Sequence, residues 1–151
     1  MNETYENLPA ILAIFRDINP TELDKAFVHS SFKGLKGGRG EDNTRLAFLG
    51  DAVINLVEAD RLFHTKGELP KGLMTDDRQK LVSNDALSKL YDNKLKLDGF
   101  LRTENDYPVQ PGDRATIVEA LFGLLFNEKS IEPCQDLWNS LLKKNCPSDS
   151  H

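Results

Sequence analysis

The sequence predicts an all-α fold in a single domain, and three observations support this prediction. Apolar residues recur at steps of three and four in several segments, which is the spacing of one face of a helix. Sustained alternation of β-branched and polar residues, the signal of a half-buried strand, is absent from the sequence. The 151 residues have the length of one domain, and 39% hydrophobic and 28% charged residues are typical of a globular protein.

Composition also limits the classes of function. The formal net charge is −5, which argues mildly against a broad nucleic-acid-binding face but leaves room for a local basic patch. No apolar run reaches the length of a membrane span, and the N-terminal segment MNETYENLPA lacks the features of a signal peptide. Cys134 and Cys146 lack the spacing of a zinc site. We therefore expect a cytoplasmic protein that makes no membrane contact.

The first two predicted helices cover LPAILAIFRDI, residues 8–18, and NPTELDKAFVHSSF, residues 19–32. Residues 8–18 carry a helical apolar stripe, and the next helix begins with Asn19 as its N-cap and Pro20 at its first position. A glycine-rich basic loop, FKGLKGGRGED, follows at residues 32–42. Its cations are candidates for contacts to RNA phosphates, and a merely solvated loop is the alternative. These cations are Lys33, Lys36 and Arg39.

The segment NTRLAFLGDAVINLVEA, residues 43–59, predicts a long helix that ends near His64. Its apolar stripe consists of Leu46, Leu49, Val53, Leu56 and Val57. Gly50 and Asp51 interrupt the middle of this helix, although an interior glycine costs about 1 kcal/mol relative to alanine. A carboxylate in apolar surroundings costs more unless it is paired. The presence of Gly50 and Asp51 in the middle of an apolar helix therefore needs a structural or functional explanation.

Four further helices complete the prediction. Two cover the segments LMTDDRQKLV and SNDALSKLYDNKL, the second with Ser83 or Asn84 as its cap. RATIVEALFGLLFNEK forms a strongly apolar helix capped by Asp113, and SIEPCQDLWNSLLKK forms an amphipathic one. We expect one domain over residues 1–144 and a flexible tail over residues 145–151.

The two most apolar helices each carry an acidic residue inside the apolar pattern, Asp51 in one and Glu119 in the other. If these helices pack together, the two carboxylates repel each other unless a cation lies between them. A hard cation such as Mg²⁺ prefers oxygen ligands of this kind. The alternative is two carboxylates on polar helix faces, and the pattern alone leaves that choice open.

The segment NTRLAFLGDAV resembles the signature helix of the ribonuclease III family. Three more segments resemble that family in the same order: FVHSSF before the signature, and RQKLVSNDALSKL and ATIVEALFGLLF after it. Together they span residues 27–126. The resemblance implies the all-α ribonuclease III endonuclease-domain fold.

The resemblance also implies a function and a set of site residues. Asp51 and Glu119 would be catalytic residues that bind Mg²⁺ or Mn²⁺, with metal-activated water attacking a phosphodiester of double-stranded or structured RNA. A homodimer would pack through residues 46–51, with Phe48 inserted into the partner subunit and Leu49 beside it. The sequence contains no double-stranded-RNA-binding domain after residue 144, so we expect help from a second subunit or from a separate RNA-binding protein.

Several acidic residues of the family pattern are missing. Thr44, Ala47 and Thr116 stand where the family has carboxylates, and two of these positions belong to the usual set of four metal ligands. The spacing still places position 47 on the same helix face as position 51, and position 116 on the same face as position 119. The arrangement of the four ligand positions is therefore kept, but only two of them carry a carboxylate. Asn55, one turn after Asp51, is a candidate auxiliary ligand through water. We therefore expect weak metal binding and weak or absent cleavage.

Three functions remain open at this point. The first is a ribonuclease III-like RNA-processing protein with an eroded metal site. The second is an active Mg²⁺-dependent endoribonuclease whose site is completed by unexpected ligands or by a partner chain. The third is a catalytically dead pseudoenzyme that serves as a dimerisation module of a ribonucleoprotein.

Overall fold

The protein is helical throughout the part of the chain that the structure, a computed structural model, describes, namely residues 3–32 and 41–144. Within these ranges the β-type pairing consists of one isolated parallel bridge between Val28 and Arg102. The predicted all-α fold is confirmed. Within the same ranges no helix is both long enough and apolar enough to cross a membrane.

Six α-helices form the body of the described chain. They are α1 (Pro20–Ala26), α2 (Thr44–Thr65), α3 (Lys71–Val82), α4 (Asn84–Leu90), α5 (Pro111–Glu128) and α6 (Ile131–Leu142). Short 3₁₀-helices cover Glu3–Asn7, Ala10–Asp17 and Asp98–Phe100, and a π-turn covers Tyr91–Leu95.

Two of the predicted helix starts are confirmed, and one is wrong. The Asn19 side chain accepts a hydrogen bond from the Thr21 backbone N–H at 2.8 Å, and Ser83 Oγ accepts from the Ala86 N–H at 3.2 Å. Helix α5, however, begins at Pro111 and not after Asp113. Asp113 lies inside the first turn, where Oδ2 accepts from the Gln110 N–H at 2.9 Å. Proline at the first helical position makes this earlier start favourable.

The N-terminal helix prediction needs a correction as well. Residues 10–17 form a 3₁₀-helix, and Leu12 has non-helical backbone angles that kink it. Leu12 and Phe15 are nevertheless buried, so the predicted apolar stripe packs on the core. The tighter 3₁₀ form is common in short segments such as this one.

Helix α5 lies at the centre of the fold. Most of its side chains between Ala115 and Leu125 are buried, and it packs against α2, α4 and α6. A helix that is apolar on nearly every side is expected in such a central position. Helix α6 covers it with the fully buried Trp138, whose ring meets Phe122 edge-on at 5.8 Å between centroids.

Helices α2 and α5 cross at two glycines. A Cβ atom on Gly50 would stand 1.6 Å from the backbone oxygen of Glu119, and one on Gly123 would stand 2.1 Å from the backbone oxygen of Leu46. No side chain larger than hydrogen fits at either position without moving the helices apart. The interior glycine of α2 is thus explained by a backbone contact within the chain.

Candidate metal centre

The glycine crossing brings Asp51 and Glu119 together. Asp51 follows Gly50 directly, and the backbone oxygen of Glu119 faces Gly50 on the opposite helix. The carboxyl groups of Asp51 and Glu119 lie within hydrogen-bonding reach of each other. Glu119 is half-buried, whereas Asp51 is exposed. The alternative of a carboxylate on a solvent-facing side of its helix therefore describes Asp51 but not Glu119.

The surroundings of Glu119 perturb the titration of its carboxyl group. Burial, together with the hydrogen bond to Asp51 and the negative charge of that carboxylate, raises the pKa of the Glu119 carboxyl from 4.5 to about 7. Below about pH 7 Glu119 therefore keeps a proton, which it can donate to an oxygen of the Asp51 side chain. A cation between the two oxygens would replace that proton, so the local chemistry suits a cation site.

Asn55 lies beside Asp51 on the same face of α2. Its Nδ2 donates to the Asp51 backbone oxygen at 2.8 Å and contacts Asp51 Oδ1 at 3.4 Å. These contacts fix the Asn55 amide group next to the carboxylate of Asp51. The geometry is compatible with the auxiliary role expected from the sequence.

The residues at the three positions that lack the expected carboxylates offer few oxygen ligands to a cation. The Thr44 hydroxyl donates to Asp42 Oδ1 at 2.5 Å, and the Thr116 hydroxyl donates to the Gly112 backbone oxygen at 2.9 Å. Ala47 is 8% exposed and belongs to the core. Within residues 3–32 and 41–144, no group of three or more His, Cys, Asp or Glu side chains is arranged to hold a metal. The donors present fit a hard cation in type, but only as a partial set.

A second polar cluster fixes the start of α5. His29 Nδ1 accepts from the Ser31 N–H at 2.9 Å, so Nε2 carries the proton and donates to Asp113 Oδ1 at 2.8 Å. Tyr107 donates to Asp113 Oδ2 at 2.8 Å. Partial burial raises the pKa of the Asp113 carboxyl, but hydrogen bonds from the Gln110 N–H, Tyr107 and His29 outweigh burial and lower it overall. The cluster is structural and lies one turn before Thr116.

Sequence reasoning missed the burial of Glu58. This carboxylate has no exposed surface. Arg61 donates to both of its oxygens at 2.7 and 2.8 Å, and the indole N–H of Trp138 donates to Oε1 at 2.8 Å. Trp138 is 80 positions away in the chain, so no local pattern could have predicted this contact. The hydrogen bond between Glu58 and Trp138 joins α2 to α6 on the side of α2 that faces the core.

The predicted dimer-contact residues lie at an open groove. Phe48 is 85% exposed, whereas Leu49 is half-buried against the core. The groove has a volume of about 580 Å³ and lies between α1, the start of α2 and the end of α5. The predicted RNA contacts Lys33, Lys36 and Arg39 lie outside the described residues.

The fold and the site define a helical domain in which two helices cross at paired glycines and bring the side chains of Asp51 and Glu119 together. Comparison with family models matches residues 44–130 of the chain to the ribonuclease III domain. This match covers more than half of the chain. The chain therefore belongs to the ribonuclease III domain family.

Individual relatives agree with this assignment. The chain is 34% identical to Ribonuclease 3 of Oleidesulfovibrio alaskensis over 127 residues, which are 81% of this chain and 55% of that protein. It is 32% identical to Ribonuclease 3 of Bifidobacterium longum over 135 residues, which are 86% of this chain and 55% of that protein. The chain thus spans about half the length of the curated relatives that it matches.

A solved structure shows the same fold. The nuclease domain of ribonuclease III from Campylobacter jejuni matches with a TM-score of 0.78 and 29% identity, covering 91% of this chain and 94% of that one. That structure was described for flexibility in a region involved in dimer formation. The predicted ribonuclease III endonuclease-domain fold is confirmed.

Proposed function

We propose that this chain is a ribonuclease III-like RNA-processing protein that acts on double-stranded or structured RNA and cleaves it weakly or not at all. The observation that carries the proposal is the hydrogen-bonded pair of Asp51 and Glu119 beside Ala47 and Thr116. The pair keeps the centre of the family's cation site, while the two neighbouring positions add no negative charge.

Each residue of the pair has a defined part in the proposed site. Asp51 and Glu119 hold Mg²⁺ or Mn²⁺ once Glu119 has released its proton, and Asn55 fixes the position of Asp51. The bound cation supplies activation of water for attack on a phosphodiester. Two carboxylates satisfy only part of a near-octahedral oxygen shell, so we expect weak binding of the ion and poor positioning of the water.

We also propose that the chain forms a homodimer through residues 46–51. The large exposed ring of Phe48 beside an open groove supports this, because covering a ring that is 85% exposed with a partner subunit would bury a large apolar area. The relative from Campylobacter jejuni forms dimers through its nuclease domain, which favours the same for this chain. Domain bounds of 1–144 with a tail at 145–151 remain part of the proposal.

The charge of the chain supports a need for help in binding RNA. Affinity for a duplex depends on the number of phosphates that Lys and Arg neutralise, and this chain carries 19 such residues against 24 Asp and Glu. A separate RNA-binding protein, or the second subunit, would add the missing phosphate contacts. We place the protein in the cytoplasm, where such RNA and partners are present.

Two alternative functions have specific support. The oxygen of the Asn55 amide next to Asp51 favours an active endoribonuclease with an atypical ligand set. The open groove beside Phe48 favours a catalytically dead dimerisation module of a ribonucleoprotein.

Variants that restore the carboxylates at positions 47 and 116 distinguish between these three functions. We expect Thr116→Asp to tighten Mn²⁺ binding by calorimetry and to raise cleavage of duplex RNA, and Ala47→Glu with Thr116→Asp to do so further. Asn139→Asp, which adds the same charge on the exposed face of α6, should change neither. Because position 47 is buried, circular dichroism must show that the double variant stays folded. Unchanged metal binding in the folded Thr116→Asp variant would refute the proposed ligand loss.

A further inference from the structure

A small pocket at the junction of α2 and α3 contains two cations and no carboxylate. Its volume is about 280 Å³. The lining residues are Ala59, Leu62, Phe63, Lys71, Met74, Thr75 and Arg78. In a chain with a net charge of −5, a pocket lined by positive charge alone needs an explanation.

Neither cation is neutralised by the described part of the chain. The Nε atom of Arg78 is buried and has no hydrogen-bond partner there. Lys71 at the start of α3 makes no ion pair within the same residues, although pairs at 4.0 Å or less join other cations to acids. Because the lining of the pocket contains Lys71 and Arg78 and no carboxylate, an anion from outside would supply the negative charge that the pocket lacks.

The pocket also presents an aromatic ring. Phe63 is 67% exposed and its ring meets that of His64 edge-on, with 5.2 Å between centroids. Leu62 is buried beneath it, and Met74 and Ala59 complete an apolar wall. The pocket therefore pairs a flat apolar surface with two donors for a negatively charged group.

We infer that this pocket binds an unpaired nucleotide of single-stranded RNA. The base stacks on Phe63, and its phosphate accepts hydrogen bonds from Arg78 and Lys71. Aromatic side chains next to cations are the usual means by which proteins hold unpaired bases. The inference rests on the proposed action on RNA and adds a substrate class to it, namely RNA with a single-stranded extension.

The position of the pocket fits this substrate. Phe63 lies 12 residues after Asp51 on α2, which is about 18 Å along the helix axis. The pocket is therefore separate from the candidate metal centre and lies on the same helix, where a strand that leaves the centre could continue. The groove beside Phe48 is a poorer site for a phosphate, because Glu22, Glu41 and Glu128 line it.

The test measures binding of a fluorescein-labelled, unstructured RNA octamer by fluorescence anisotropy in EDTA. From the strength of base–aromatic stacking, Phe63→Ala should weaken binding about 5- to 150-fold, and Phe63→Trp should preserve it. Arg78→Gln should reduce the slope of log affinity against log salt by about 0.7, the value for one phosphate contact on a single strand. The matched control is Phe126→Ala, which removes a partly exposed aromatic ring outside the pocket and should leave affinity unchanged.

Three results would overturn the inference. One is binding of the octamer by Phe63→Ala within twofold of wild type. Another is equal competition by an octapeptide of glutamate, which would make this a general anion site. The third is a change in the mass of Phe63→Ala without RNA, which would make it a contact between copies. Binding of a blunt duplex by wild type, measured in parallel, distinguishes failure of this inference from failure of the proposed function.

Discussion

Gly50 and Gly123 face each other where α2 crosses α5. Because neither residue has a side chain, the backbones of the two helices are in direct contact at this point. The amide nitrogen of Gly123 would stand 2.8 Å from a Cβ atom on Gly50, and that of Gly50 would stand 3.0 Å from one on Gly123. Asp51 is adjacent to the first glycine, and Glu119 lies one turn before the second. The same contact therefore sets the core packing and the candidate metal centre.

Gly123→Ala should destabilise the protein even though alanine is the better helix former. The methyl group would meet the backbone oxygen of Leu46, which cannot rotate away, so the helices must separate. We expect a loss of about 2 kcal/mol or more in the free energy of unfolding, measured in urea. Gly72→Ala is the matched control, since a Cβ there meets nothing within 4 Å. It should be neutral or stabilise by up to about 1 kcal/mol; equal effects of the two variants would contradict the packing account.

Stability should depend on the protonation of Glu119. The pKa of its carboxyl is about 7 in the folded protein against an ordinary 4.5, so the folded state holds the proton more tightly than the unfolded state. The contribution of this group is therefore greatest below about pH 4.5 and is lost as pH rises towards 7, with little change above. Urea unfolding of wild type and Glu119→Gln at pH 5 and pH 8 checks this. Wild type should lose stability relative to the variant at the higher pH, and a constant difference would refute the shift.

The buried ion pair between Glu58 and Arg61 should be far more sensitive than an exposed one. Arg61→Ala leaves a fully buried carboxylate with only the Trp138 N–H as its partner, so we expect a loss of about 3 kcal/mol in urea unfolding. Arg45→Ala breaks the exposed pair with Glu41 and should cost less than about 1 kcal/mol. Similar losses in both variants would show that Glu58 is hydrated.

The oligomeric state should depend on Phe48. We expect sedimentation equilibrium of wild type to give twice the chain mass of 17.0 kDa at micromolar concentration, and Phe48→Ser to give the monomer mass. Because Phe48 is 85% exposed, its loss should not weaken the core of the chain itself. Phe126→Ser, on another exposed surface, is the control. A monomeric wild type would exclude the dimer.

Much of the fold could be predicted from local pattern. The signature helix was expected over residues 43–64 and runs over Thr44–Thr65, because its periodicity and the residues that flank it are local signals. The Asn19 and Ser83 caps were predicted for the same reason. Asp51 and Glu119 were expected to share a site, and the structure brings them into contact. Their role as metal ligands remains a prediction.

Other features depend on partners that are distant in sequence. Leu56 belongs to the predicted apolar stripe of α2, yet it is 57% exposed, because the buried face is set by where α5 and α6 pack. The ion pair of Glu58 with Arg61 is local, three residues along the same helix, but the full burial of Glu58 depends on Trp138, 80 positions away. The pocket at Phe63 likewise forms only when α3 turns back on α2.

The most direct test of the central claim is an endonuclease assay on long duplex RNA with Mg²⁺ and then Mn²⁺, with folded Asp51→Asn as the paired variant. We predict little or no cleavage by wild type, and that any weak cleavage present is lost in Asp51→Asn. Efficient, discrete cleavage by wild type that Asp51→Asn abolishes would contradict the account, because it would show that Asp51 and Glu119 suffice without the two missing carboxylates.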